Sequence, residues 1–337
     1  MSDYDLEIDQ IVQKIQENNY QSVLIQFPEG MLDKPLKRIK EILSKENIKV
    51  YVAGDPSYGV CDLAVDLAKK LGCELLIHFG HSQFGFQNQV NSASSESLDV
   101  ILVPAYYIPP NALDYSPLIT EITKKKWKTI GLAATIQHIK SLDDFEEILK
   151  VNDFQVIRYD SGQILGCHVN SLHKGMNDCD GFVSFHAGYF HTHGILLNTN
   201  KPLIQFNPYS GNIINYEKAD HHKAIQQRFT LLTKAKKAQK WGILGSSKLG
   251  QYNWKMISKI QSLLAEREID NLIVVAENIN PQVLANFALI DAWVVTACPR
   301  IAIDDKIRFF KPVVTFREFL YLFDQLKWEN LLEQGFF

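Results

Sequence analysis

The sequence predicts an α/β protein made of three similar doubly wound parallel-sheet domains in a pseudo-three-fold arrangement around one central site. Short apolar runs alternate with amphipathic helical stretches along nearly all of the 337 residues. A segment bearing a loop cysteine repeats, and internal repeats govern the fold reading before anything else. Cys61, Cys167 and Cys298 each lie in a loop just past an apparent buried strand, one thiol for each third of the chain. That spacing suggests a single metal site shared by three domains.

In the first third, Ser22 to Phe27, Lys49 to Ala53, Glu74 to Phe79 and Val100 to Ala105 are apolar enough to be buried on both faces, as parallel strands usually are. Leu32 to Ser44 and Asp62 to Leu71 carry helical periodicity between them. The second third reads as a helix over Leu113 to Lys126 and strands at Thr129 to Ala134, Phe154 to Tyr159, Gly181 to Phe185 and Leu203 to Phe206. The last third opens with a helix over Glu217 to Gln239, followed by strands at Gly242 to Gly245, Leu272 to Ala276, Ala292 to Thr296 and Val313 to Thr315. Such alternation implies right-handed crossovers and ligands beyond the carboxyl ends of the strands. Domain limits fall at 1–111, 112–216 and 217–337, marked by Pro, Asn or Gly rather than by long linkers.

The repeat is read directly from two segments. Val50 to Gly80 and Val156 to Gly188 align without a gap from the Val through Cys61 or Cys167 to a second Cys and an acidic residue, Cys73-Glu74 and Cys179-Asp180. Leu272 to Arg300 fits less well, because Cys298 follows the second strand of that segment rather than the first.

A chain of this length suits two or three compact cores, and 46% apolar residues fill them. The net charge of -3 gives no global drive toward nucleic acid, and the basic run Lys234 to Lys240 reads as the solvated end of a helix. The acidic start MSDYDLEIDQ lacks the regions of a secretory signal, and no apolar run approaches the ~20 residues that span a bilayer. Five cysteines without a signal point to a reducing cytoplasm and to thiols that bind metal, react or pack.

A structural zinc site usually pairs its cysteines at short spacing, and no such pair occurs here. An iron-sulfur cube held by three thiolates from distant loops leaves one iron open to a substrate. The plain alternative is a buried free thiol, which Cys73 and Cys179 fit better, since each precedes an apparent core strand.

Gly245 to Gln251 (GSSKLGQ) nearly matches a phosphate-cradling loop and is expected to open a helix at Tyr252. Gln251 replaces the Lys and Tyr252 the hydroxyl that hydrolysis needs, so nucleotide hydrolysis is not expected. Backbone N–H groups there suit a carboxylate, against the plain reading of a tight turn. Arg300, two residues after Cys298, suits a bidentate carboxylate contact, or else a salt bridge to Asp304 or Asp305. His186, His191 and His193 cluster in SFHAGYFHTHG, and His78 and His81 in IHFGHS; neither spacing matches a zinc motif, and satisfied loop histidines are the plainer reading. No nucleophile elbow occurs.

LIQFPEG (Leu24 to Gly30), GDPSYGVCD (Gly54 to Asp62), LLIHFGHS (Leu75 to Ser82), GLAATIQH (Gly131 to His138), GQILGC (Gly162 to Cys167), GSSKLGQ and TACPRIAIDD (Thr296 to Asp305) together resemble the diphthamide biosynthesis family in its archaeal single-chain form. The similarity covers nearly the whole chain. It implies a homodimer of three-domain protomers in which Cys61, Cys167 and Cys298 bind a 4Fe-4S cluster. S-adenosylmethionine is the implied cosubstrate, with translation elongation factor 2 as protein substrate and an electron donor of unknown identity. The implied reaction breaks the bond from sulfur to the methionine γ-carbon and attaches the 3-amino-3-carboxypropyl group to an imidazole carbon of one histidine. No catalytic side chain beyond the cluster is implied. On this reading the amino-acid end of the cosubstrate falls to Gln251, Ser246, Ser247 and Arg300, with Tyr58 lining the pocket. Quinolinate synthase, another three-domain cluster enzyme, is the main alternative, and a non-enzymatic iron-sulfur sensor is a third.

Overall fold

In the computed structural model the described residues are 4–28, 31, 37, 39, 43, 48–55, 57–85, 93–94, 98–304 and 309–337. The expected helix over Leu32 to Ser44 falls largely outside them. By contacts the chain divides into two compact units. The first comprises Met1–Leu113, Ala134–Asp143 and Lys248–Gly250; the second comprises the rest.

The first unit holds a parallel four-stranded sheet. Its strands are β2 (Ser22–Gln26), β3 (Lys49–Val52), β4 (Leu75–Phe79) and β5 (Asp99–Val103), in the order β3-β2-β4-β5; β1 (Tyr4–Asp5) pairs separately and antiparallel with β6 (Tyr106–Tyr107). Alternate residues of the central strands serve opposite faces. Val23, Ile25, Leu75, Ile77 and Phe79 pack with the helix Ile8–Asn18 on one side, while Leu24 and Leu76 pack with Val60, Val65 and Cys73 on the other. Both faces are covered, which is why these strands read as continuous apolar runs.

Two sheets make up the second unit. One has β7 (Thr129–Ala134), β8 (Gln155–Ile157), β9 (Gly181–Phe185), β10 (Leu203–Phe206) and β11 (Ile213–Tyr216), in the order β11-β10-β9-β7-β8. The other has β12 (Lys240–Ser246), β13 (Asp270–Ala276), β14 (Ala292–Val295) and β15 (Val313–Thr315), in the order β13-β12-β14-β15. In this unit β11 runs antiparallel to β10, an addition that no sequence signal announced. Trp241, Ile243 and Val294 fill one face of the last sheet and Leu244, Trp293 and Val295 the other.

All three sheets share one strand order. Numbered from its own first strand, each runs second, first, third, fourth, the doubly wound order whose switch point lies between the first and third strands. The repeated sequence segments run in both cases from the second strand to the third, β3 to β4 and β8 to β9. Cys61 and Cys167 therefore follow second strands. Cys298 follows the third strand of its sheet, which accounts for the poorer alignment of the last segment. Cys73 and Cys179 are core residues, and burial pushes the Cys179 thiol up to about 11. Among the described residues, no helix is long and apolar enough to cross a membrane.

Candidate metal and cofactor site

Cys61 sits in the first unit on a single 3-10 turn, Val60–Asp62, closed by a 2.9 Å bond from the Asp62 N–H to the Gly59 carbonyl. Two contacts brace the turn. Lys248 pairs with the Asp62 carboxylate at 2.9 Å, both side chains being 12% exposed. Gly250 lies so close that a β-carbon there would stand 2.3 Å from the Cys61 Cα, so only glycine fits. The Lys248 ammonium also lies 5.7 Å from the Tyr58 ring centre. Tyr58 itself is 64% exposed, a side chain open to solvent rather than enclosed.

Cys167 and Cys298 belong to the second unit, where the fold brings them together. Cys167 occupies the tip of a two-residue turn, Gly166-Cys167, closed by paired backbone bonds of 2.9 and 3.0 Å between Leu165 and His168. Cys298 stands just past β14 and ahead of the short helix Arg300–Ile303. Its residue surface is only partly covered, yet its surroundings are dense. Burial pushes its thiol up to about 12, repulsion from Cys167 adds to the shift, and the Arg300 N–H, donated to the sulfur, opposes it.

Arg300 ties these loops to one another. Its guanidinium donates from Nη1 to the Gly166 carbonyl at 3.1 Å and from Nη2 to the Phe190 carbonyl at 2.6 Å, pairs through Nε with Asp304, and lies 3.5 Å from the Phe190 ring centre. Burial pulls its pKa down while Asp304 and the two thiols hold it up. Arg300 is 5% exposed, so the fork expected to face a carboxylate is committed first to the protein, and the salt bridge to Asp304 weighed against that role does form. Asp305 lies outside the described residues. Gly194 completes the packing: a β-carbon there would meet the Gly166 carbonyl oxygen at 2.3 Å and Arg300 Nη1 at 3.4 Å.

The histidine-rich segment joins this arrangement from the helix Tyr189–Asn198. His193 Nδ1 lies 3.3 Å from Asp304, Tyr189 stacks on His193 at 5.3 Å, and His186 and His191 pack ring to ring at 5.3 Å. Burial pushes His186 down to about 4, so it is neutral at physiological pH. The sequence reading missed Phe190, Gly194 and His193 as neighbours of the Arg300 cluster. The Arg300–Asp304 pair was legible, being four residues apart and weighed from the sequence, but no spacing signal pointed to the other three.

Ser246 ends β12 and Cys298 follows β14, strands that pair directly with Leu244 opposite Val295, so both residues stand at the same end of the switch point. Ser246 is buried, Ser247 exposed and Gln251 half-buried. The helix expected from Tyr252 begins instead at Trp254. Asn253 turns the chain, and its Oδ1 accepts the Met256 N–H at 3.1 Å, so an orphan donor that would suit an anion is already used.

Residues 27–332 match the family described as "Putative diphthamide synthesis protein". The chain belongs to the diphthamide synthesis family. Family relatives include the 2-(3-amino-3-carboxypropyl)histidine synthase of Pyrococcus horikoshii, 32% identical over 92% of this chain and 87% of the relative. The protein of the same name from Methanocaldococcus jannaschii is 28% identical over 96% of this chain and 94% of its own. Among solved structures, Dph2 from Pyrococcus horikoshii with a 4Fe-4S cluster superposes with a TM-score of 0.80 at 29% identity, covering 98% of this chain and 93% of that one. The family match separates this chain from the quinolinate synthase alternative, and the synthase names carried by its relatives agree with the expected enzyme class.

Proposed function

We propose that the protein transfers the 3-amino-3-carboxypropyl group of S-adenosylmethionine to a histidine of translation elongation factor 2, the first step of diphthamide formation. The observation that carries this reading is that one buried guanidinium, two residues after Cys298, reaches the turn that bears Cys167, far away in sequence, in a chain whose family includes a cluster-bearing Dph2. With Cys61 these two cysteines supply a set of three thiols and no carboxylate, the donor chemistry that iron-sulfur clusters take. The Arg300 N–H directed at the Cys298 sulfur is the hydrogen bond a cluster thiolate accepts. Among the described residues no three His, Cys, Asp or Glu side chains converge to hold a single ion. A cube sets its thiolates apart and needs no such convergence.

When bound and reduced, a 4Fe-4S cluster supplies one electron for breaking the sulfur to γ-carbon bond. The chain's own residues bind and orient. Gln251, Ser246 and Ser247 would hold the amino-acid end of the cosubstrate with Tyr58 beside it. Arg300 would contribute through the second N–H on Nη1 and on Nη2, which its protein acceptors leave over. The protein acts as a homodimer in a reducing cytoplasm, fed by an electron donor yet to be identified, in a pseudo-three-fold arrangement of the domains 1–111, 112–216 and 217–337.

Anaerobic reconstitution with iron and sulfide, reduction with dithionite and addition of S-adenosylmethionine tests the reading. The expected product is methylthioadenosine, lost on Cys61→Ala, Cys167→Ala or Cys298→Ala. An intact cluster that gives 5'-deoxyadenosine, or no cleavage at all, overturns it.

A further inference from the structure

His78 and His81 take no part in the function proposed above, yet they form one end of a buried polar chain that reaches the Cys61 turn. Gln26, at the end of β2, donates from Nε2 to the Asp62 carbonyl at 2.8 Å and accepts the Ala64 N–H on Oε1 at 3.1 Å. A carbonyl only accepts and an N–H only donates, so these two backbone groups fix which way the Gln26 amide points. Oε1 also faces His78 Nδ1 at 2.9 Å, so that nitrogen must carry the proton. His78 Nε2 faces His81 Nδ1 at 2.9 Å. In a neutral His78 that Nε2 is the acceptor, and His81 Nδ1 must donate. Every hydrogen bond from the turn to His81 then has one allowed direction.

Burial favours that neutral form. His78 is completely enclosed, and both histidines are held below their ordinary range, His81 at about 4. A charged His78 would set its own Nε2–H against the Nδ1–H of His81.

We propose that Gln26 and His78 are positioning residues for Cys61, a neutral strut of fixed polarity that holds the turn Val60–Asp62 in one geometry. The proposal rests on reading Cys61 as a cluster ligand, and its chemistry is that of presentation rather than proton transfer. Gln26 grips the backbone on the far side of the cysteine at Asp62 and Ala64, and His78 orients Gln26. Three acceptor or donor groups are satisfied by one amide, so loss of the His78 donor removes one of its three anchors and loosens its hold on the turn.

Anaerobic alkylation of the cluster-free, reduced protein with iodoacetamide, followed peptide by peptide by mass spectrometry, tests this. His78→Leu should speed alkylation of Cys61 by about tenfold, the factor that corresponds to one lost buried hydrogen bond. Cys73, in the core of the same unit, should keep its wild-type rate. His78→Asn places an N–H near the Nδ1 position and should hold Cys61 near the wild-type rate. Cys61 unchanged or slower in His78→Leu, Cys61 and Cys73 rising together, or His78→Asn behaving like His78→Leu would each overturn the proposal. Iron and sulfide content of the reconstituted wild type judges the cluster reading separately: a protein that takes up neither fails that reading, while the alkylation pattern still decides the strut.

Discussion

The two units hold their candidate ligands by opposite electrostatic means. Around Cys61 the turn is gripped by Gln26 and His78, neutral groups linked by hydrogen bonds of fixed direction. Around Cys167 and Cys298 the grip is a buried cation, Arg300, with Asp304 as its partner. The difference follows from what each holds. Two neighbouring thiols raise each other's cost of ionisation, and a guanidinium between their loops offsets it. Cys61 has no second site thiol in its unit, so no cation is set against its sulfur; a neutral strut holds the backbone of the turn, and the charged brace acts on the Asp62 side chain through Lys248. A charged anchor binds more tightly per contact but is costly to leave half made; a neutral one loses less when it is cut.

Arg300→Ala should therefore show the largest effect. It strands the Asp304 carboxylate and the carbonyls of Gly166 and Phe190, and breaking a buried pair of this kind costs ~3–5 kcal/mol. Denaturant unfolding would measure it, with Arg300→Lys recovering only part, because an ammonium cannot serve three acceptors in a planar fork. A loss below ~1 kcal/mol would place the pair with ordinary surface bridges and remove the contrast between the units. Next in size come the two glycines that guard the cysteine turns. Gly194→Ala drives a methyl into the Gly166 carbonyl, and Gly250→Ala drives one into the Cys61 backbone, each costing ~1–3 kcal/mol. Peptide-resolved alkylation should give a crossed pattern, Cys167 altered by the first substitution and Cys61 by the second. A uniform change at both cysteines would mean that the turns are not held independently.

The strands were legible because burial on both faces leaves an unbroken apolar signature. Thr129 to Ala134, Gly181 to Phe185, Leu203 to Phe206 and Val313 to Thr315 have the same limits in sequence and structure. The repeat also carried real topology, since its two good copies span the same pair of positions in sheets of the same strand order. Less was legible where short-range chemistry competes with pattern. Asn253 moved a helix start by capping it, and the antiparallel β11 is half-exposed and short. The cysteines were proposed by spacing, but the contacts around them were not foreseen. Arg300 meets the carbonyls of Gly166 and Phe190, and Gln26 meets Asp62 and His78, all distant in sequence. Contacts to backbone carbonyls leave no mark on residue type at the accepting position.

The smallest expected effect, counted per histidine near pH 6, is a dependence of stability on pH, and its sign separates a neutral histidine network from a charged one. Unfolded, His78, His81 and His186 take up a proton near 6.5; folded, burial delays this to about 4 for His81 and His186 and well below the ordinary value for His78. Between these limits the unfolded chain binds more protons, so the stability these groups contribute is complete above pH 6.5 and falls as the pH drops toward 4. The slope is at most about 1.4 kcal/mol per pH unit for each group. At pH 6 each therefore costs under about 1 kcal/mol. Denaturant midpoints taken from pH 7.5 to 5, above the range of most carboxylates, should decline only below 6.5, and His81→Gln should flatten part of that decline. A midpoint that rises on acidification would mean that the histidines are held as cations; His78 Nε2 would then donate to His81 Nδ1, while the Gln26–His78 bond kept its direction.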